Sequence, residues 1–437
     1  MTLMNWVALL VVVITIAALI KRYETRLVLF TAGLVLCCAS LQPMEAFNSF
    51  AKSMTNGGLI MAICASMGFA YVSSYTKCDQ HLVHLLAKPI RGLGIFLVPI
   101  CTAVTMVINV AIPSASGVAA AVGSTLIPVM LRAGIRPAMA AAAVMMGTYG
   151  GVISPGSAHN VYVAKISNME IMDFIQLHFS YSMTIWAIGI VGILVMAIIF
   201  RDKGEATDDI QVNTSSKHEE LESANPIYAM VPMIPIIILV LGNSVLPSIK
   251  MGVAQAMVLG AVFCLLITRT NPQEFSKSFF NGLGKGYGNI MGIIIAAGVF
   301  AAGLRSAGLI ETFIELLRQS NDIARWGGSL GPWFLGTLTG SGDAATFAFN
   351  EAVTPHAADF GMDIPHLGAL AFLSGALGRT SSPIAGAMVV VSGIAMANPV
   401  EVAKRTLPVC LISTIVLALT ILSQKQMHHM PRLLFSL

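Results

Sequence analysis

Two short polar segments interrupt apolar stretches of this chain and carry residue types that could bind an ion. The first runs from Gly147 to Ser157 and the second from Gly375 to Pro383. A constant separation of 228 residues aligns Gly147 with Gly375, Gly150 with Gly378, Ser154 with Ser382 and Pro155 with Pro383. A broken helix exposes backbone N–H groups, which attract carboxylates, and carbonyl groups, which attract cations. Paired interruptions of this kind in a membrane protein indicate the binding site of a secondary transporter.

A second pair of interruptions lies between apolar arms. Residues 93–131 surround Pro113–Gly117, and residues 327–356 surround Thr339–Asp343. We interpret each segment as a re-entrant hairpin, in which two half-helices meet at a tip and the chain leaves on the side where it entered. The alternative is two full spans joined by a tight turn. Irregular backbone at membrane depth is tolerated only inside protein or around water, so we expect the four breaks to share one cavity.

Small and hydroxyl-bearing residues at these breaks form most of the predicted substrate site, because they offer hydrogen bonds without blocking a ligand. Helix packing in membranes also selects small residues, but four breaks related in pairs favour binding. Asn109 and Asn350 are expected to satisfy bent backbone. The predicted substrate-binding residues are Ser114, Ser116, Ser154, Pro155, Gly156, Ser157, His159, Asn160, Ser341, Gly342, Asp343, Gly378, Arg379, Thr380, Ser381, Ser382 and Pro383.

Ionisable residues beside the breaks also indicate function, because a charge within a membrane is costly. Arg379 could bind an anion, or it could form a structural ion pair with Asp343 or Glu351. Asp343 could hold a cation or proton, or it could cap the half-helix that follows. His159 could exchange a proton near neutral pH, or it could be a hydrogen-bonded structural residue. A coupling ion, Na+ or H+, is placed near Asp343 and Thr339, and no cofactor is expected.

The composition is that of an integral membrane protein. Of 437 residues, 56% are hydrophobic and 11% are charged, and the mean hydropathy is +0.80. A soluble chain carries about a quarter charged residues. Several apolar runs approach the ~20 residues that a helix needs to cross the bilayer. They are Leu3–Ile20, Leu27–Leu41, Ile185–Phe200, Val253–Thr268 and Leu407–Leu422.

Charge and cysteine usage exclude other classes of protein. The net charge is +4, and the basic residues cluster in loops between apolar runs, so no nucleic-acid partner is expected. The seven cysteines show no CxxC spacing, and most lie in apolar segments as small hydrophobic residues. No HExxH motif or phosphate-binding loop is present, which argues against a zinc-dependent membrane enzyme or an ATP-driven pump.

A polar segment divides the chain into two halves. Residues 201–225 are rich in Asp, Glu, Ser and Lys and are interpreted as a linker between a first repeat, 1–200, and a second repeat, 226–437. Amphipathic pieces are expected around 44–54 and 273–282. The other predicted helices are 3–20, 27–42, 57–76, 93–112, 115–131, 137–167 (broken), 178–200, 227–247, 252–268, 286–304, 327–338, 344–356, 364–395 (broken) and 406–423.

The distribution of basic residues predicts orientation. Five crossings and one hairpin in each half would invert the second half relative to the first. In the first half, one side then collects Lys21, Arg22, Arg26, Lys77, Lys88, Arg91, Arg132, Arg136, Arg201, Lys203 and Lys217, and the other collects Lys52 and Lys165. Because basic loops remain in the cytoplasm, the linker is expected there and both chain termini in the periplasm. The second half is nearly even.

Several motifs resemble the anaerobic four-carbon dicarboxylate carriers of the DcuC/DcuD family. They are Thr339–Ala344, Leu377–Pro383 and Pro399–Thr406, with Ser114–Gly117, Ile127–Met130 and Ile153–Pro155 in the first half. The resemblance covers nearly the whole chain. It implies an all-α carrier of succinate, fumarate or malate in the bacterial inner membrane, built from two inverted repeats. It also implies a homodimer in which a substrate domain moves against a scaffold.

Two residues depart from the family pattern. His159 stands where the family is expected to have an acidic residue, and Asp343 stands where an amide is more usual. An amino-dicarboxylate or a sugar–amino-acid conjugate is therefore an alternative substrate. A passive anion channel remains a further alternative, although a channel would show rings of like residues rather than a twofold internal repeat.

Overall fold

The computed structural model describes residues 3–21, 23–87, 94–204, 224–312 and 321–421. Within these ranges the secondary structure is helical, apart from one isolated antiparallel bridge between Ile135 and Lys203. Nine helical segments in the described ranges are long and apolar enough to cross a membrane. The predicted all-α membrane fold is confirmed. Most of the predicted 201–225 linker lies outside the described residues.

The described part of the first half contains ten α-helices. These are α1 (Leu3–Ile20), α2 (Thr25–Ala39), α3 (Pro43–Met54), α4 (Gly57–Tyr75), α5 (Cys78–Ala87), α6 (Leu97–Ala111), α7 (Ala115–Arg132), α8 (Pro137–Gly147), α9 (Ala158–Ile166) and α10 (Ile171–Ile199). Helix α5 is absent from the prediction. Helix α10 begins at Ile171 rather than 178, because its first turns carry polar residues such as Asp173 and hydropathy alone does not reveal them.

The described part of the second half follows a similar order. Its helices are α11 (Pro226–Met230), α12 (Ile234–Ser244), α13 (Val253–Thr268), α14 (Pro272–Lys285), α15 (Gly292–Ser306), α16 (Asn321–Thr339), α17 (Gly342–Ala352), α18 (Ile364–Ser381), α19 (Gly386–Ala395) and α20 (Pro399–Thr420). The predicted amphipathic pieces correspond to α3 and α14. A π-helical turn, Gly286–Met291, joins α14 to α15 in one continuous helical segment.

Helices α6 and α7 fold back on themselves as a hairpin. Gly94, before α6, lies beside the Lys203 ammonium group. Beyond α7, Gly134 accepts a 2.7 Å hydrogen bond from the N–H of Gly204. Both ends of the segment therefore lie beside Lys203 and Gly204, at the start of the predicted linker. In the second hairpin, Gly328 of α16 lies beside Phe349 of α17.

The two broken helices are interrupted in the same way. At the first break, the Ser154 N–H donates to the Gly151 carbonyl at 3.1 Å; at the second, the Ser382 N–H donates to the Arg379 carbonyl at 3.1 Å. Each serine hydroxyl then accepts a 3.3 Å bond from the N–H two residues later, at Gly156 and Ile384 respectively. The donors and acceptors keep the 228-residue separation seen in the sequence.

A buried ion pair holds one face of the molecule together. Arg405 of α20 binds Asp202 through two hydrogen bonds of 2.7 and 2.8 Å. The Asp202 carbonyl also accepts a 2.9 Å bond from the N–H of Arg136. We call the surface formed by residues 76–81, 133–136 and 201–204 the linker face. Val83, Leu97 and Ile135 share one buried cluster beneath it.

Two glycines allow the broken helices to approach the first arms of the hairpins. A Cβ atom on Gly150 would overlap the carbonyl oxygen of Met106, and one on Gly378 would overlap the carbonyl oxygen of Trp333. Each close contact joins a broken helix to α6 or α16. Because both contacts are with backbone atoms, no flexible side chain could move aside to accommodate a Cβ atom.

Replacing Gly150 or Gly378 by Ala should therefore destabilise the protein. Overpacking of a tight contact costs about 1–3 kcal/mol, and more where backbone must shift. Gly393→Ala is the matched control, since a Cβ there meets no atom within 4 Å and a helical alanine is favoured. Thermal unfolding of the purified proteins measures the difference. Equal melting temperatures for Gly378→Ala and Gly393→Ala would contradict this packing.

Candidate functional site

Both hairpin tips and both breaks meet at one internal cavity of about 380 Å3, which we call the central cavity. The predicted residues that line it are Ser114, Ser116, Ser157, His159, Ser341, Gly342, Asp343 and Arg379. The remaining wall includes Met67 of α4 and Ile290 of the π-helical turn. The structure thus brings together four segments that are far apart in the chain.

The two hairpin tips are built around serine N-caps. Ser114 caps α7 by accepting a 3.2 Å hydrogen bond from the N–H of Gly117, and Ser341 caps α17 by accepting one of 3.2 Å from Ala344. Asp343 is therefore not the cap; it lies in the first turn of α17. A capped N-terminus still carries a partial positive charge. Two such ends face the central cavity and favour an anion there.

Both hairpin tips contact the second broken helix. Ser116, beside the first tip, lies against Gly386 at the start of α19. Gly340, at the second tip, has φ of +71°, and a Cβ atom there would lie 3.0 Å from the Ala385 nitrogen. The left-handed conformation and the close approach both require glycine. The second break is therefore held between the two tips.

His159 and Asp343, the two residues expected to depart from the family pattern, are bonded to each other. His159 Nε2 donates to Asp343 Oδ1 at 2.9 Å, which joins the first half to the second. The imidazole is stacked between the rings of Phe347 and Phe372, at 4.3 and 4.8 Å. It is 11% exposed, whereas the Asp343 side chain is 55% exposed toward the cavity. The carboxylate is therefore reachable by a ligand, and the imidazole is fixed behind it.

Arg379 spans the same boundary between the halves. Its guanidinium donates to the Thr148 carbonyl at 3.1 Å and to the Thr148 hydroxyl at 3.3 Å. Among the described residues, no carboxylate oxygen comes within ion-pair distance of Arg379, so the structural pairs considered with Asp343 and Glu351 are not formed. The guanidinium has five N–H donors, and donors remain for a ligand in the cavity.

Predicted residues outside the cavity wall support the breaks from behind. Asn160 donates to the carbonyls of Val152 and Ser154 at 2.8 and 2.9 Å and accepts from His178 at 3.1 Å. The hydroxyls of Thr380 and Ser381 bond to helix carbonyls one turn earlier. The hydroxyls of Ser154 and Ser382 accept hydrogen bonds from nearby backbone N–H groups.

Two predicted glycines act through packing. Gly378 packs against α16, and Gly156 packs against Pro113. The cavity wall also omits Pro155 and Pro383.

Several wall residues were not predicted to bind substrate. Asn109 accepts a 2.6 Å bond from the Gly151 N–H and donates to the Ile112 carbonyl, which confirms its predicted role in satisfying bent backbone. Its position on the wall was not foreseen. Phe372 lies within a helix whose sequence pattern is apolar, and Thr148 lies inside the first break but is not among the predicted substrate-binding residues. Thr148 matters because it binds the guanidinium of Arg379 in the second half, and no local spacing in the sequence reveals that contact.

The described residues contain no group of three or more His, Cys, Asp or Glu side chains that could hold a metal ion. Thr339, placed near a coupling cation by the sequence, uses its hydroxyl within the second tip. The hydroxyl donates to the Leu335 carbonyl at 2.7 Å and accepts from the Ser341 N–H at 3.2 Å. Oxygen donors near the site are therefore Asp343, serine hydroxyls and backbone carbonyls, which are the ligand types of a hard cation.

Comparisons with known proteins agree with the motifs. A family model described as DcuC, C4-dicarboxylate anaerobic carrier, matches residues 4–425, which confirms the resemblance drawn from the sequence. The DcuC anaerobic C4-dicarboxylate transporter of Escherichia coli K12 is 27% identical and covers 92% of this chain and 94% of its own. A Haemophilus influenzae protein named as a transporter is 43% identical over 279 residues, which cover 62% of this chain and 100% of its own.

Two solved transporters share the fold. Neisseria gonorrhoeae MtrF superimposes with a TM-score of 0.60 at 14% identity, covering 86% of this chain and 82% of MtrF. Alcanivorax borkumensis YdaH superimposes with a TM-score of 0.59, also at 14% identity, covering 86% of each chain. At this identity the likeness concerns the fold alone.

The His159–Asp343 pair should show strong energetic coupling. Contacting residues in one hydrogen-bond network typically couple by 0.5–3 kcal/mol. We expect the loss of stability in the double variant His159→Ala, Asp343→Ala to be smaller than the summed losses of the single variants. Thermal or denaturant unfolding of the purified proteins in detergent measures the cycle. Asp343 with Lys404, which is bonded to Glu401 on the surface, is the uncoupled control pair. Additive effects at His159 and Asp343 would contradict the pair.

Proposed function

We propose that this chain, which belongs to the DcuC family of C4-dicarboxylate anaerobic carriers, is a secondary active transporter of an organic anion in the bacterial inner membrane. Membership of this family makes the chain a multi-pass membrane transporter rather than an enzyme. Succinate, fumarate and malate are the first candidates. The observation that carries the proposal is the meeting of Arg379 and two capped helix ends at one cavity.

The charges around the central cavity suit a carboxylate ligand. Arg379 can add charge-assisted hydrogen bonds, often in bidentate form, to those that helix N-termini supply. The serines at both tips offer further donors at short reach. A four-carbon dicarboxylate could place one carboxylate near Arg379 and the other near a hairpin tip. The cavity of about 380 Å3 has room for such an acid with bound water.

We propose that transport proceeds by an elevator-type alternating-access mechanism in two inverted repeats. The equal hydrogen bonds at Ser154 and Ser382 support the repeat. The hairpins and broken helices would form the moving substrate domain, and the helices that flank them would form the scaffold. A homodimer is proposed from the resemblance. We place the linker in the cytoplasm and both termini in the periplasm, because the first half carries its basic residues on the linker side.

We propose that Asp343 binds the ion, H+ or Na+, whose gradient drives transport. Its exposed carboxylate lies beside the Ser341 and Gly342 backbone at the second tip, where it can accept a proton or help to ligate Na+. His159 fixes one oxygen and leaves the other toward the cavity. A symporter would load this ion with substrate, and an antiporter would exchange one anion for another.

One observation favours a second substrate class. The 55% exposed carboxylate of Asp343 would repel the second carboxylate of a plain dicarboxylate, but it would attract an ammonium group. The cavity therefore offers both a cationic and an anionic side chain. An amino-dicarboxylate or a sugar–amino-acid conjugate, each with an amino nitrogen and a carboxylate, matches this pair of charges.

Purified protein in liposomes would test the proposed function directly. Labelled organic acids, including succinate, malate, aspartate and an amino-acid–sugar conjugate, are offered under imposed Na+ and proton gradients. A carrier exchanges internal for external substrate, whereas a channel does not, so counterflow separates these mechanisms. Absence of counterflow for every acid would overturn the proposal.

Arg379→Ala should abolish anion transport while the protein remains folded in the membrane. Removing one partner of a buried charged hydrogen bond costs on the order of 2–5 kcal/mol, which is at least about a tenfold loss of affinity. Arg379→Lys should restore binding only in part, because lysine lacks the planar fork. Equilibrium binding and exchange rates measure the effect, and exposed Lys404→Ala is the control. Unchanged affinity in folded Arg379→Ala protein would leave Arg379 a structural residue.

Asp343→Asn should separate coupling and substrate charge from folding. If the carboxylate binds the coupling ion, gradient-driven uptake should fall more than exchange, because exchange need not return an empty carrier. If it pairs with an amino nitrogen, preference should shift from amino-dicarboxylates toward plain dicarboxylates, since the unfavourable charge is removed. His159→Asp should shift the preference through added negative charge. A substrate profile and gradient dependence identical to wild type in both variants would contradict these roles.

A further inference from the structure

A second cavity, of about 420 Å3, lies next to the central cavity and reaches the linker face. We call it the vestibule. One wall is α4, from Met67 to Tyr75, and the opposite wall is the second arm of the first hairpin, from Ser114 to Ala121. Asp79 and Gln80, in the first turn of α5, line its outer end. The vestibule thus extends from a hairpin tip to the surface on which the linker begins.

The two cavities share a thin boundary. Met67, Pro113 and Ser114 line both of them. Met67 is a flexible, unbranched side chain that can change rotamer at low cost. Ser114 is the N-cap of the first tip, so one of the groups proposed to bind substrate also faces the vestibule. A solute leaving the central cavity past Met67 would enter the vestibule directly.

The vestibule is lined for a polar solute along one side. Hydroxyl and amide groups on this side come from Tyr71, Ser74 and Tyr75 of α4 and from Gln80 of α5. Across from them, Gly117, Ala120 and Ala121 leave the α7 wall smooth and unobstructed. Ser74 is exposed.

The matching region of the second half is closed. A separation of 228 residues places α4 on the π-helical turn and α15, and places α7 on α17. There, a Cβ atom on Gly298 of α15 would lie 2.8 Å from the Ser53 hydroxyl and 3.4 Å from a Glu351 carboxylate oxygen at the end of α17. Phe347 of α17 is fully buried. The second arm therefore packs where the first arm leaves a cavity.

We propose that substrate exchanges between the central cavity and the linker side through the vestibule, with Met67 and Ser114 at the inner gate, and that the structure is the state open to that side. This inference rests on the proposed transport function. It names the route and the closed counterpart between α15 and α17, which would open in the opposite state.

Cysteine accessibility tests the route independently of transport. Ala120→Cys and Ser74→Cys are made in a Cys38→Ser background, because Cys38 is the exposed native cysteine. A cysteine introduced by Ser215→Cys in the predicted linker reports which vesicle orientation exposes the linker side of the membrane to the maleimide. Inside-out and right-side-out membrane vesicles are treated with an impermeant maleimide, and labelling is read as a mass shift. Ala348→Cys is the matched control, since Ala348 lies 228 residues after Ala120 on the closed arm.

Cysteines at 120 and 74 should react from the same side as the cysteine at 215, and the cysteine at 348 should not react from that side. Labelled Ala120→Cys protein should lose most exchange of the acid that wild type exchanges in liposomes. Reaction of both vestibule cysteines from the opposite side only, or from neither side, would overturn the route. So would equal reaction of the cysteines at 120 and 348 from the linker side, or full exchange after complete labelling at 120. If no variant or wild type exchanges any acid, the proposed function fails, while the labelling pattern still decides whether the vestibule is open.

Discussion

The whole arrangement depends on satisfying the backbone where helices break at membrane depth. Each interruption releases N–H and C=O groups that water or protein must bond, because unpaired groups in an apolar interior are costly. Asn109 binds the backbone of its own tip and of the first break. Asn160 binds two carbonyls of the first break and is itself held by His178. Once these bonds are made, the small hydroxyl residues that remain can face a solute.

Contacts between the halves then join the breaks into one site. The first broken helix supplies His159 and Thr148, and the second half supplies Asp343 and Arg379 in return. Neither half alone supplies all the polar and charged side chains of the site. The buried ion pair of Asp202 with Arg405 joins the start of the predicted linker to the second half at the linker face, away from the cavity. The centre therefore carries polar contacts that a ligand can reach, whereas the linker face carries a buried bidentate pair.

Much of this fold could be predicted from sequence, because apolar runs, Gly/Pro breaks and a repeated spacing are local signals. The breaks and the eight predicted residues on the cavity wall came from those signals, whereas the family came from the resemblance of several motifs. The helices that begin at Ile171 and Pro399 are predicted from hydropathy to start later, because polar residues lie in their first turns. At Pro399 the start is set by the cap from Asn398, which hydropathy does not reveal. The pairing of His159 with Asp343 could not be derived, since no spacing links residues on separate halves. For the same reason, the contact of Thr148 with Arg379 could not be predicted, although Thr148 lies inside the first break. Phe372 lies in an apolar helix and has no local signal of its own.

The π-helical turn has a consequence for how one long helix is shared. An i→i+5 turn admits one extra residue, and a residue in an α-helix turns the chain by about 100°. The apolar face of α14 therefore does not continue as the apolar face of α15. Gly282 of α14 packs on α4, whereas Gly303 of α15 packs on α2. One continuous helical segment thereby packs against two different helices. The side that faces the protein changes near Ile290, which lines the central cavity.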